Sequence, residues 1–187
     1  MRENYLKICF IVIISLSIVT ACGSQGPSGG AGGGNTVVVA AGTDSTKGTL
    51  ATVASATDST TFVTNFYTIT STPYTGFTGT PSPVSLLSVT LSYTPVSGFN
   101  GIAPPPIPPL PLFSKPPTLQ PSGSVTEEVL IIDNFSKSTV FAPYTTALRT
   151  TTASQFVYDV SITFKGQEIN TGTDVSATTG TTLFVTH

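Results

Sequence analysis

The strongest nucleophile this chain offers is the thiol of Cys22. It follows Val19, Thr20 and Ala21, an aliphatic residue and two small ones that would let extended backbone enter a narrow protease cleft. Sulfur forms a thioether readily, where a serine hydroxyl would not. The other cysteine, Cys9, sits inside an apolar run upstream, so neither a disulfide nor a cysteine-ligated metal can form downstream of Cys22. The remaining chemical groups are sparse. His187 is the single histidine and the last residue, where chains fray, so a Ser-His-Asp site built on it is not expected. Zinc or copper would need several imidazole or thiolate ligands. Glu127 and Glu128 are adjacent on a predicted strand and so point to opposite faces, which suits edge or solvent positions better than a catalytic pair. Glu168 and Asp174 flank a glycine-containing turn and read as loop solvation, with weak calcium binding as the other reading. No catalytic residue, cofactor site or metal site is therefore expected.

The elements around Cys22 give its thiol a context. Arg2 and Lys7 form a basic start, slightly offset by Glu3, and Ile8–Val19 is a run of 12 residues interrupted only by Ser15 and Ser17. A helix crossing a bilayer needs about 20 apolar residues, so this run is too short for a permanent span and fits a secretory leader. With Val19-Thr20-Ala21-Cys22 closing it, the segment resembles the signal peptide of bacterial lipoprotein precursors, whose lipobox has this form. The resemblance implies that residues 1–21 are removed by cleavage between Ala21 and Cys22. It further implies that Cys22 carries a diacylglyceryl group and a fatty acid such as palmitate on its new amino group. Each buried methylene contributes about 0.8 kcal/mol, and stable anchoring takes more than one chain. The membrane, through acyl chains on Cys22, is thus the first expected partner. Gly23 is not the aspartate that often marks inner-membrane retention, so the resemblance implies the outer membrane in a Gram-negative cell. In a Gram-positive cell it implies the outward face of the cytoplasmic membrane.

Residues 22–35 read as a tether. Gly23–Asn35 holds seven glycines and no charge, a composition expected to behave as a flexible coil spanning about 20 Å.

Residues 36–187 are expected to form one domain, a β-sandwich. Charged residues are only 9% of the chain, so solubility must come from threonine and serine hydroxyls. Loss of the leader leaves five basic and eight acidic residues, and no basic stripe exists to displace counterions, so nucleic acid is not an expected partner. Phe156, Tyr158, Val160, Ile162 and Phe164 alternate with Val157, Asp159, Ser161, Thr163 and Lys165, which predicts a half-buried strand. Leu87, Val89, Leu91 and Tyr93 alternate with Ser88, Thr90 and Ser92 in the same way. Val125–Ile132 becomes uniformly apolar toward its end, as a central strand would. Shorter strands are predicted at Val37–Ala41, Leu50–Ser55, Thr61–Thr70, Thr139–Ala142, Val175–Thr178 and Thr181–Thr186, and no helix beyond the leader. Two Thr-Asp-Ser-Thr tetrapeptides, Thr43–Thr46 and Thr57–Thr60, predict turns closed by the aspartates; calcium at Asp44 and Asp58 is the sharper alternative.

From Gln155 to the C-terminus the chain resembles the closing strands of immunoglobulin-like or fibronectin type III domains. Strand Gln155–Lys165 meets Gly166, then Gly172, and the chain ends on Thr181–Thr186. The resemblance implies that Tyr158 fills the tyrosine-corner position and Val160 the place of a disulfide cysteine. Tryptophan, a cysteine pair and an acidic residue shortly upstream of Tyr158 are all missing from that pattern.

Ala103–Pro121 carries nine prolines in 19 residues and must be polyproline II or loop. It is expected to be a stiff crossover in which Ile107, Leu110, Leu112 and Phe113 pack on the sandwich flank, with a boundary between two small domains as the alternative. These features lead to the expectation of a lipid-anchored cell-envelope protein, not an enzyme, with a structural, adhesive or assembly role toward an envelope protein or glycan. The alternative is a binding module for sugar or peptide that uses Tyr67, Tyr74, Phe77, Phe99 and Tyr144.

Overall fold

A computed structural model describes residues 30–33, 35–58, 60–112, 117–149 and 154–187. Residues 1–21, Cys22 and most of the tether lie outside the described residues, as does Phe113.

The body is an all-β sandwich of two packed sheets. The first sheet runs β2 (Val37–Thr43), β4 (Val63–Pro73) and β8 (Ser124–Ile132), all antiparallel. In the second, β5 (Val84–Ser97), β9 (Phe156–Glu168) and β10 (Asp174–Thr186) are antiparallel neighbours. Short strands close its edges: β6 (Leu110–Leu112) and β7 (Thr118–Leu119) on β5, and β3 (Ala51–Ser55), parallel, on β10. Strands β2, β4 and β8 thus form one layer and β5, β9 and β10 the other.

Alternation explains why these sheets face each other. Phe156, Tyr158, Val160, Ile162 and Phe164 are all buried and meet Tyr67, Ile69 and Val129 of the first sheet in one core. The Tyr67 and Phe164 rings sit 6.2 Å apart between β4 and β9. Burying each such aromatic contributes on the order of 1.5–3 kcal/mol. Gly166 continues the inward row where β5 comes close. A β-carbon there would lie 2.7 Å from the Ser85 carbonyl oxygen, so only glycine fits without movement.

Several expectations are corrected. Leu87 is exposed, because a bulge between Leu86 and Ser88 shifts the register against β9 and turns Leu86 inward instead. Val125–Ile132 is not central: β8 ends the first sheet, and its apolar end is buried because Val129, Ile131 and Ile132 pack in the core between the sheets, where the Tyr93 hydroxyl also donates to the Ile131 carbonyl at 2.7 Å. Val175–Thr178 and Thr181–Thr186 are one strand, since Gly180 stays paired with Ser161. Instead of a strand at Thr139–Ala142 the chain forms α1 (Asn134–Val140), a 3-10 turn (Ala142–Tyr144) and α2 (Thr145–Leu148). Asp133 caps α1 by accepting the Ser136 N–H, and two turns are too short to show a helical period.

Tyr158 does not form a tyrosine corner. It points into the core, and its hydroxyl donates to the Pro105 carbonyl at 2.7 Å, far from its own strand in sequence. That bond helps hold the proline segment on the sandwich flank, where Ile107 is buried and Leu110 and Leu112 pack against the core. Pro111 sits in the edge strand β6 opposite Thr90, a position where its missing N–H matters least.

Candidate functional site

The residues expected to carry chemistry toward a membrane, Ala21 and Cys22, lie outside the described residues. What is described is how the chain leaves that region. Gly30–Gly33 forms β1, which pairs with β10 through Gly30↔Thr178 and Ala31↔Ala177 and with β2 through Gly32↔Val39 and Gly33↔Val38. The end of the expected coil is thus a strand joining the two sheets. No helix among the described residues is long and apolar enough to cross a membrane.

Just after this strand lies a buried polar cluster. Glu168, expected as loop solvation, is fully buried. Its Oε1 accepts the Thr36 N–H at 2.8 Å, the Val37 N–H at 3.1 Å and the Thr36 hydroxyl at 3.2 Å, and its Oε2 accepts the Thr171 hydroxyl at 2.5 Å. Burial pushes the Glu168 carboxyl up, but the donors from Thr171, Thr36 and Val37 outweigh it and the net shift is downward. Thr36 Oγ1 also accepts the Ser82 N–H at 2.8 Å, and the Ser82 hydroxyl accepts the Asn170 N–H at 3.0 Å. The cluster therefore fastens the start of β2 to the β9–β10 hairpin and to the segment entering β5. Gly166 and Glu168 continue the parity of Phe156 to Phe164, which gives Glu168 an inward face, while its partners Thr36 and Thr171 follow only from the fold.

The two aspartates act as the turn reading expects. Asp44 Oδ1 accepts from Thr46 N, Thr46 Oγ1 and Lys47 N, and Oδ2 from the Thr68 and Thr126 hydroxyls. Asp58 Oδ1 accepts from Thr60 N, Thr60 Oγ1 and Thr61 N. These donors hold both carboxyls well below the usual aspartate range. Among the described residues no group of three or more histidine, cysteine, aspartate or glutamate side chains gathers as a metal site would need.

The remaining candidates disperse. Glu128 is exposed and accepts the Thr64 hydroxyl at 2.7 Å, whereas Glu127, opposite Tyr67, is half-buried on the inner side, and desolvation raises its carboxyl. Asp174 is exposed at the hairpin, where its carboxylate accepts from the Gln167 amide. His187 accepts a hydrogen bond from Arg149 Nε. Of the aromatic candidates, Tyr67 is core, while Phe99 and Tyr144 pack on Phe156 with ring centroids at 4.9 and 5.4 Å. Tyr74 and Phe77 alone are exposed, in the turn between β4 and β5 that Gly76 closes with a φ of 82°. Nothing in the sequence around Lys137 marks it as buried. It is buried in α1, and its ammonium donates to the Asp58 and Thr61 carbonyls at 2.5 and 2.6 Å, tying the helix to the loop before β4.

No family model matches the chain, and neither the curated proteins nor the solved structures contain a match to it.

Proposed function

We propose that this chain is a lipid-anchored protein of the bacterial cell envelope. In this reading Cys22 is acylated after cleavage at Ala21, and the sandwich serves a non-catalytic structural, adhesive or assembly role. The observation that carries it is the run Val19-Thr20-Ala21-Cys22 at the end of a basic-then-apolar leader. Two features support the role of the body. Three of its carboxylates, Asp44, Asp58 and Glu168, are each held by three or more donors, so these act as structural acceptors rather than free bases. The sheets are also edged by short strands and by β8, whose Glu127 sits on the inner side. An inward charge on an edge strand discourages indiscriminate strand pairing, as suits a protein crowded on a membrane.

A sugar- or peptide-binding module is the second reading, and the exposed pair Tyr74 and Phe77 favours it. Expression of the full chain with its leader in a bacterial host tests the anchor. Wild type should fractionate with membranes and carry acyl mass on the peptide that begins at Cys22, and Cys22→Ala should give an uncut or soluble form. An unmodified thiol at the mature N-terminus would refute it.

A further inference from the structure

We propose that the outer side of the second sheet, at its β3 corner, rests on the lipid surface to which Cys22 is tied. This depends on the anchor reading above and adds to it an orientation and a contact surface.

The outer side of this sheet is mostly polar, as alternation requires: Asp159, Ser161, Thr163 and Lys165 on β9, and Ser176, Thr178 and Thr182 on β10. One registered row breaks the pattern. Val53 on β3 pairs with Phe184 on β10, and Phe184 pairs with Val157 on β9. On β5 the residue registered with Val157 is Ser97, and Val96 precedes it in the bulge. Val53 is 63% exposed, Val96 55%, and Leu50, just before β3, 59%. Phe184 and Val157 are half-buried. At about 4.8 Å between strands, the row crosses roughly 10 Å of surface. Single exposed aliphatics are ordinary, but an apolar band across three neighbouring strands, with Val96 beside it, needs a cover.

The route of the chain identifies that cover. β1 and β3 occupy the same edge of β10, β1 beside Ala177 and Thr178 and β3 beside Thr182 to Thr186. Because β1 is antiparallel to β10, the chain traced backward from Gly30 heads toward β3 and the apolar row. Phe184 lies six residues beyond Thr178, about 20 Å at the rise of a strand. Gly30 is the eighth residue after Cys22, and a chain of that length reaches at most about 26–29 Å in any conformation. An acylated Cys22 therefore holds the lipid surface within reach of the row, on the side toward which the chain points.

A fluid lipid interface accepts an apolar band without a matching shape. The depth is limited by Asp159, which pairs with Thr182 in the adjacent row and whose carboxylate must stay among headgroups. The contact is thus shallow, made by Val53 and Phe184 with the corner tilted down.

The test uses the full chain produced with its leader, purified and reconstituted into vesicles of phosphatidylethanolamine and phosphatidylglycerol. The body has no thiol of its own, so Val53→Cys and, on the other sheet, Thr72→Cys each give one labelling site for an environment-sensitive fluorophore. Nitroxide-bearing lipid should quench the probe at position 53 several-fold more than at 72, with acyl mass on Cys22 measured in the same samples. Equal quenching at the two sites with Cys22 acylated overturns the contact and leaves the anchor standing. An unacylated Cys22 overturns both. Energy transfer between labelled copies without lipid quenching at 53 would assign the row to a second copy and likewise overturn the proposal.

Discussion

Glu168 Oε1 accepts the backbone N–H of Thr36 at 2.8 Å, joining positions 132 residues apart in the chain. Thr36 is the residue at which the chain from β1 turns into β2, and Glu168 ends β9. One carboxylate thus ties the N-terminal strands to the C-terminal hairpin, in an interior where an unpaired charge would be costly. A body pulled from its N-terminus would load this junction soon after β1.

Replacement Glu168→Gln should destabilise the fold by about 1–3 kcal/mol, because an amide group would face the Thr36, Val37 or Thr171 donors with N–H instead of an acceptor. Urea unfolding should show a lower midpoint with an unchanged slope. A midpoint equal to wild type would mean that the carboxylate is dispensable.

Acid should weaken the protein through the same kind of group. Glu168, Asp44 and Asp58 all have folded-state values below their ordinary 4.5, 3.8 and 3.8. The folded state then binds fewer protons than the unfolded one, so the stability these groups contribute is complete above the ordinary values and is lost as pH falls through the folded ones. Urea midpoints should hold steady at mildly acidic pH and drop steeply below about pH 4. Glu127 has the opposite sign, since desolvation raises it, so Glu127→Gln should increase stability at neutral pH.

Lys137→Met should cost about 1–3 kcal/mol by leaving the Asp58 and Thr61 carbonyls without their donor. The exposed Lys165→Met should stay within about 0.5 kcal/mol of wild type. Thermal melts of the two variants make the comparison. Equal effects would contradict a buried structural role for Lys137.

The bulge in β5 predicts opposite tolerance at adjacent leucines. Leu86→Ala should lose about 2–5 kcal/mol by opening a cavity beside Val84 and Gly166. Leu87→Ser should lose no more than about 0.5 kcal/mol, because its side chain is in water. Chemical denaturation separates the two readily, and a reversed order would show the register to be wrong.

How far the fold is legible depends on the kind of information each element uses. Phe156 to Phe164 alternate without a break, and β9 lies where that pattern puts it, facing the core. The turns at Asp44 and Asp58 are equally local, since each carboxylate meets N–H groups two and three residues on. Leu87 defeats the same reasoning, because a bulge is set by the partner strand β9 and leaves no mark in β5 alone. Val125–Ile132 looks central for a similar reason: burial of Ile131 and Ile132 depends on what packs beside them, not on a second hydrogen-bonded neighbour.

From its residues alone the chain declares a leader closed by a thiol, a glycine-rich connector and a hydroxyl-coated body of alternating strands, because hydropathy, small size and period-two patterning act over neighbouring positions. Only the folded body decided that Gly30–Gly33 is a strand between the sheets, that Glu168 is buried against Thr36, and that Val53, Phe184 and Val157 line up in one exposed row. Each of those facts includes a pairing across more than 100 residues, and register is set by pairing and packing across the sheets rather than by any local preference.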